Sequence, residues 1–559
     1  MDEAERMPPL TPAQRRGTGV SSAIAGIARS RIALAALLLL LVPYLRVGFV
    51  LDDFLHLERV VRGAGWAALD YRIRSDDLGI QIWWLPGGVE FHFLRPLVLL
   101  LLKLEAGGFG LHPLPFHAVS IALHMGNVLL CGAIGRRLGL SASAARLAAL
   151  AWGVSIHAVA AVGWVSGQSE LLVACFVLSA VFAYLRGMET GQRRWRVLSI
   201  AALALGLLSK ESAVVGPLLV LAAHRAARSV PLVRSAGAKS TAWYPASLVV
   251  LVGLYLAVRF VVLDFPAPPP PYFDAGRSVG DVARLAIKTL RYAAGATFGI
   301  PVLPLVLDRG PATIAVAAAG VTACVLNVRL SRRRAPWELG WFVAALAPYL
   351  LVMPTSLYLY LALCGVYWLI ARAVQRGSVV AGVLAGWLVV SGVAGHVIAG
   401  VAFPRVVSEI RAATSALQES VVPDGRDVVL VNAPFWSYAL PSLLRLEDPP
   451  RDIRLHVVSF SPEFRGGAAR AQWTSGGSLL VAGPPGGFFR SPVERFFQFG
   501  ANPCGGKPDA EPVVVVTCGG SGGDTRHPEA LVVELRDRVP GGRPVVLAFD
   551  GWTAREIRP

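Results

Sequence analysis

Charge is scarce in this sequence. Of 559 residues only 16% are Asp, Glu, Lys or Arg, against about 25% in a soluble domain, whereas 54% are apolar and the mean hydropathy is +0.56. Those values exclude a chain that is soluble throughout. Lysine is scarcer still, with five in the whole chain. The six cysteines exclude a disulfide framework. Cys131, Cys175, Cys324 and Cys364 lie in apolar runs and read as small hydrophobes. Cys504 and Cys518 fall in a polar tail, where they either pair outside the reducing cytoplasm or stay free thiols. The formal charge of +17 would suggest nucleic acid on a soluble chain, but its placement argues against such a partner and for membrane lipids.

What is present is a series of long apolar runs. About 20 apolar residues cross a bilayer, and eleven segments approach that: Arg31 to Leu51, Pro113 to Ile134, Leu147 to Val165, Leu171 to Leu185, Val197 to Leu208, Ala213 to Ala227, Tyr244 to Leu263, Ala312 to Val328, Trp337 to Met353, Leu357 to Ala371 and Val379 to Phe403. The first follows a polar segment, 1–30, without a small-residue cleavage pattern, and reads as an uncleaved anchor. Phe93 to Leu104 is too short to span and is expected as a helix along the outer face. Ala283 to Leu307, interrupted by Pro301 and Pro304, is expected to be peripheral or re-entrant.

Arginine decides the orientation, because short cytoplasmic loops collect Lys and Arg. In an eleven-span arrangement Arg15-Arg16, Arg136-Arg137 with Arg146, Arg193-Arg194 with Arg196, Arg225 with Arg228 and Arg234, Arg332 to Arg334, and Arg372 with Arg376 share one side. The amino terminus is therefore expected in the cytoplasm of a bacterium, with the chain in its inner (plasma) membrane. An odd number of spans puts residues 404–559 outside. That tail carries strand-sized, β-branched runs separated by Gly and Pro: Asp427 to Asn432, Ile453 to Val458, Ser478 to Ala482, Pro512 to Thr517 and Pro544 to Phe549. Helical stretches near Arg405 to Ser420 and Pro434 to Leu446 complete the reading. The expected architecture is an α-helical polytopic bundle of about 11 transmembrane helices, residues 31–403, with a C-terminal extracytoplasmic α/β domain.

Ionisable residues at membrane boundaries are costly and mark candidate sites. Asp52-Asp53 follows the first span; two adjacent carboxylates can take a hydroxyl proton, hold a divalent cation such as Mg or Mn with one ligand each, or simply begin a solvated loop. Arg95 offers a guanidinium fork suited to phosphate, or a snorkelling contact to lipid headgroups. His117, His124 and Asn127 share one helix face, as a ligand site or as a polar seam between helices. Lys210 and Glu211 interrupt two apolar segments, with Glu211 expected to pair Lys210 in an empty site or the two merely to cap their helices. Arg259 lies near an outer helix end, and Trp164-Val-Ser-Gly167 leads into Glu170.

In this order the motifs resemble the GT-C superfamily of lipid-linked-sugar-dependent glycosyltransferases, and within it the protein O-mannosyltransferase branch that includes the transmembrane-and-tetratricopeptide proteins. The resemblance is carried by Asp52-Asp53, Arg95-Pro96-Leu97, His117 with His124 and Asn127, Trp164 to Gly167 with Glu170, Lys210-Glu211, Arg259, and Tyr358-Leu-Tyr360-Leu, over roughly residues 31 to 400. It implies a polyprenyl-phosphate-sugar donor, an outer-face site and inversion at the anomeric carbon, with Asp52 as base on the acceptor, Asp53 orienting it or binding a cation, and Arg95, Lys210 and Arg259 on the donor phosphate. The chain departs from the family pattern at Ser155-Ile156 and Ala160, where relatives carry His-Pro and a glutamate; at Gln168, where they carry arginine; and at Ser356-Leu357, where they carry Glu-Arg. The repeat tail is replaced by the α/β segment, so the acceptor is open among protein, lipid and glycan. The alternatives are a transporter or flippase of lipid-linked saccharide, using the same cations, and a catalytically degenerate GT-C scaffold.

Overall fold

The computed structural model describes residues 31–558 except 66–68, 70, 75–77, 86–89, 229–242, 264–278, 298, 300–336, 351, 353–354, 420–426, 462–468, 485–486, 490–503, 505–513, 520–527, 536–543 and 551–552. The protein is mostly helical. Helix α1 covers residues 31–41 and passes into a 3-10 turn, Val42–Arg46. Next come α2 (Asp53–Arg62), α3 (Pro96–Phe109), α4 (Pro113–Arg137), α5 (Ala142–Gly153), α6 (Ala158–Gly163) and α7 (Gln168–Thr190). These are followed by α8 (Arg193–Ser209), α9 (Gly216–Ala227), α10 (Trp243–Ala257), α11 (Val279–Ala296), α12 (Trp337–Leu346), α13 (Leu363–Gln375), α14 (Val379–Glu419) and α15 (Leu440–Leu446).

Four described stretches are long and apolar enough to cross a membrane: Pro113–Arg137, Val165–Thr190, Pro245–Val262 and Val379–Ala412. This is a membrane protein. The 25 residues of α4 extend about 37 Å at 1.5 Å per residue, more than the roughly 30 Å hydrocarbon core. Other expected spans are shorter or broken. Leu147 to Val165 is divided between α5, α6 and a 3-10 turn, Val165–Gly167, and Ala312 to Val328 lies outside the described residues. The helix expected at Phe93 begins instead at Pro96, because Phe93 is the last residue of a strand and proline suits the first helical turn. The run ending at Phe403 continues through Pro404, so that α14 has 41 residues.

The helices pack closely where side chains are small. A Cβ at Gly392 of α14 would collide with the Val154 carbonyl oxygen, and one at Gly365 of α13 with that of Glu338. Small residues let membrane helices approach in this way.

Strands β1 (Tyr71–Arg74), β2 (Ile80–Ile82) and β3 (Glu90–Phe93) come from the first loop; β4 (Asp427–Val431), β5 (Arg454–Val457), β6 (Arg470–Trp473), β7 (Leu479–Ala482), β8 (Val514–Gly519), β9 (Ala530–Leu535), β10 (Val545–Asp550) and β11 (Thr553–Glu556) make the C-terminal α/β region. The five runs expected as strands correspond to β4, β5, β7, β8 and β10. One sheet has the order β11-β10-β4-β5-β2, and its edge strand β2 comes from the loop after α1, pairing parallel with β5 as Ile80↔Leu455 and Ile82↔Val457. Trp83 Nε1 donates to the Val458 carbonyl at 3.0 Å, and buried Trp84 packs against Phe460 and Phe489. The first loop and the C-terminal region therefore share one core. A second sheet, β6-β7-β9-β8, is antiparallel throughout. Cys504 and Cys518 form a disulfide.

Candidate active site

Local backbone geometry presents the paired carboxylates. Leu51 has φ 52°, a left-handed conformation that strains a side chain of this size, and from it the chain turns into α2 with Asp52 at the N-cap. The apolar positions Phe54, Leu57 and Val60 of α2 point inward. Asp53 is buried, and its oxygens are committed: Oδ1 accepts the backbone N–H of Ser166 at 2.7 Å and its hydroxyl at 2.6 Å, while Oδ2 accepts the Val50 N–H at 2.9 Å. Burial nevertheless pushes the carboxyl up to about 7, with the three hydrogen bonds opposing that rise. Asp52 turns the other way. The Tyr438 hydroxyl donates to its Oδ1 at 2.5 Å. Burial raises the Asp52 carboxyl above the usual range, and the Tyr438 bond partly counteracts the rise.

Ser166 belongs to the Trp164-Val-Ser-Gly167 turn. Gly167 is required there because an added Cβ would lie 2.8 Å from the Ala161 carbonyl oxygen and 2.9 Å from that of Ala160. The turn opens α7, and Glu170 in its first turn pairs with Lys210. Lys210 sits in extended conformation at the break between α8 and the 3-10 turn Glu211–Val215. Its Nζ lies 4.8 Å from the centroid of the Tyr358 ring, which stacks on Tyr349 at 4.3 Å. Glu211 does not pair with its neighbour Lys210, contrary to expectation. It bridges two arginines, Arg95 at 2.9 Å and Arg259 at 3.4 Å. An extended residue and the residue after it direct their side chains apart, so Lys210 faces α7 while Glu211 faces β3 and α10.

Arg95, two residues after the end of β3 and at the N-cap of α3, stacks on Phe93 at 4.1 Å and Tyr71 at 5.3 Å. Tyr71 in turn hydrogen-bonds His56 of α2, Oη to Nε2, at 2.7 Å. Burial, with the charges of Arg95 and Arg59, pushes the His56 imidazole down to about 3, so it is neutral. Arg259 lies buried in a π-helical turn, Val258–Val262, and donates to the His92 carbonyl at 3.3 Å. Among the described residues the structure brings Arg95, Lys210 and Arg259 together with the carboxylates Glu170 and Glu211. The five groups carry one net positive charge when ionised, and aromatic rings line them.

The histidine face has a different character. His124 Nε2 donates to the Gly153 carbonyl at 2.9 Å, leaving Nδ1 to accept the Tyr360 hydroxyl at 2.7 Å; Asn127 Nδ2 donates to the Leu171 carbonyl at 3.0 Å and to Tyr360 at 3.4 Å. All three side chains are buried in the bundle, beside Trp152. His117 is buried beside the backbone of Val47, Gly48 and Val162. These groups form a polar seam between helices. Gln168 donates its amide to Glu105 and to the Phe116 carbonyl, each at 3.0 Å.

A divalent cation does not fit the Asp pair as it stands, since both Asp53 oxygens already accept strong donors. Among the described residues no three His, Cys, Asp or Glu side chains group as metal ligands. Tyr438, which lies 386 residues from Asp52, and Tyr349 carry no sequence signal that links them to the site, and Ser166 is legible only as part of the Trp164 to Gly167 motif.

No protein-family model matches the chain. In sequence it is 33% identical over 143 residues to the human protein O-mannosyl-transferase TMTC4 and 32% identical over 145 residues to the mouse protein. Each match covers 22% of this chain and 19% of the relative, so the chain spans about a fifth of the length of the curated relatives it matches. Among solved structures it is similar to the Archaeoglobus fulgidus oligosaccharyltransferase tethered to an acceptor peptide (11% identity, TM-score 0.43, 76% of this chain and 63% of that one). It is also similar to the mycobacterial arabinofuranosyltransferase AftD (15%, 0.37, 73% and 29%) and to ArnT from Cupriavidus metallidurans bound to undecaprenyl phosphate (15%, 0.34, 78% and 86%). The chain is a membrane protein that is similar, over 22% of its length, to protein O-mannosyl-transferases.

Proposed function

We propose that the chain is a membrane glycosyltransferase that moves a hexosyl or pentosyl unit from a polyprenyl-phosphate donor to a hydroxyl or amine acceptor at the outer face, with inversion. One juxtaposition supports the reading. The Asp53–Ser166 bonds tie the Asp52 loop to the turn that opens α7, and Glu170 of the same helix holds Lys210 within the cation cluster. A base and a phosphate clamp are thereby set on one rigid frame.

In this mechanism the acceptor oxygen attacks the anomeric carbon as Asp52 takes its proton. The bond from that carbon to the phosphate oxygen breaks, and its electron pair leaves with the lipid phosphate. Negative charge on the phosphate grows during the step, so Arg95, Lys210 and Arg259 stabilise the transition state more than the ground state. Asp53, with its oxygens engaged, positions Asp52. On this reading residues 1–30 are cytoplasmic, 31–403 carry the catalytic bundle, 404–559 lie outside, and the protein sits in the plasma membrane.

The test is transfer of labelled sugar from polyprenyl-phosphate mannose and related donors by reconstituted protein. Asp52→Asn is expected to lower transfer by about 10²-fold or more with unchanged thermal stability. Wild-type turnover in that variant would remove Asp52 from the mechanism. Movement of the lipid-linked sugar across vesicles without any transfer would replace the reading with a transporter.

A further inference from the structure

Beside the proposed active site lies a cavity of about 320 Å³, lined on α2 by Arg59, Arg62 and Glu58, on β1 by Arg72 and Arg74, and on α15 by Arg445. Among the described residues of its wall, five arginines surround one carboxylate. Arg59 donates to the Arg72 carbonyl, and Arg62 to the Arg445 carbonyl at 3.3 Å. Such bonds orient a guanidinium without neutralising it. Among the described residues the nearby carboxylates are Glu58, 3.2 Å from Arg445, and Glu90, 3.4 Å from Arg72 and 3.0 Å from Arg74.

From this geometry we infer that the cavity binds an anionic group, carboxylate or phosphate, on a saccharide acceptor. This deepens the transferase reading and rests on it for the word acceptor. Two observations favour an acceptor over a lipid headgroup. The elements that build the cavity also build the Asp52 contact: α2 begins immediately after Asp52, and α15 begins two residues after Tyr438. Arg59 is seven residues beyond Asp52, about 10 Å along the helix, a distance that a short glycan covers between its reacting hydroxyl and an acidic substituent. The cavity wall also includes Tyr71 and His56, which connect it to Arg95 by the ring stack and the hydrogen bond described above. Planar guanidinium forks are matched to carboxylate and phosphate oxygens.

The experiment is calorimetric binding to the full chain in neutral-lipid nanodiscs, with a galacturonic acid trisaccharide as the probe and a galactose trisaccharide as its neutral control. It needs neither donor nor turnover, so its failure is distinct from failure of the transferase reading. The acidic trisaccharide is expected to bind about tenfold tighter or more at low salt, and less so as salt rises. Arg62→Gln and Arg74→Gln, both at exposed positions, are expected to weaken it several-fold. Glu58→Gln, which releases Arg445, is expected to tighten it. Equal binding of the two trisaccharides, no effect of Glu58→Gln, or loss of binding when phosphatidylglycerol is added to the nanodiscs would each overturn the proposal, the last by assigning the cavity to lipid headgroups.

Discussion

Asp53 accepts both the backbone N–H and the hydroxyl of Ser166, at 2.7 and 2.6 Å, and these two bonds join the first loop to the opening of α7. Glu170, in the first turn of α7, follows that joint and pairs with Lys210. Removing the Ser166 hydroxyl leaves the backbone bond, whereas altering Asp53 affects three donors at once.

Asp53→Asn is therefore expected to destabilise the fold by about 1–3 kcal/mol, and Ser166→Ala by less, because a buried donor without its acceptor costs its desolvation. The carboxyl is raised to about 7, so its contribution is present in full below the unfolded value near 4 and declines as pH rises through 7. Thermal melts of the two proteins are expected to differ more at pH 5 than at pH 8; a gap that widens with pH would contradict the burial argument.

Tyr438→Phe is a test of the base. The Tyr438 bond holds the Asp52 carboxyl lower than burial alone would. Losing the hydroxyl raises it further, and a base works only above its own pKa. The acid limb of kcat/KM is expected to move to higher pH, with the alkaline plateau retained. An unshifted limb would separate Tyr438 from the chemistry.

Lys210→Met strands Glu170, 3% exposed, without its cation. Breaking one side of a buried pair costs about 3–5 kcal/mol, whereas replacing both members with apolar groups costs far less. The double variant Lys210→Met/Glu170→Leu is expected to regain most of the lost stability and none of the transfer activity. Recovery of activity in the double variant would show that Lys210 serves the fold alone.

His124→Leu examines the histidine face. It removes the bonds to Gly153 and Tyr360, and hydrogen bonds between membrane helices average about 0.6 kcal/mol and reach about 1.7. A loss of about 1–3 kcal/mol in stability, with transfer per folded molecule preserved, is the outcome expected of a packing seam. A fall in turnover of the folded protein would return His124 to the site.

Much was legible from local chemistry. The apolar runs identified helices because period and length are properties of the chain itself, and β-branched runs bounded by Gly and Pro marked β4, β5, β7, β8 and β10. Strands such as β6, with the sequence Arg-Ala-Gln-Trp, and β2, with three residues, had no such signal; their extended form comes from the partner strand. The cations Arg95, Lys210 and Arg259 stood out because charge is rare here and costly near a bilayer. Their partners did not, and adjacency misassigned one of them: Glu211 follows Lys210 in sequence, yet the extended backbone at Lys210 sends the two side chains to different neighbours.

Composition, hydropathy and the spacing of rare charges determined by themselves that this is a membrane protein with a helical bundle, a β-rich tail and a small set of ionisable residues worth testing. Tertiary structure alone decided which carboxylate holds which cation, that Tyr438 of the C-terminal region reaches Asp52, and that a strand of the first loop completes a sheet of that region. The reason is range. Hydrophobic period and turn chemistry act over a few residues, whereas ion pairs and hydrogen bonds depend on distances of 3 Å or so between atoms that the chain brings together only after hundreds of residues have packed.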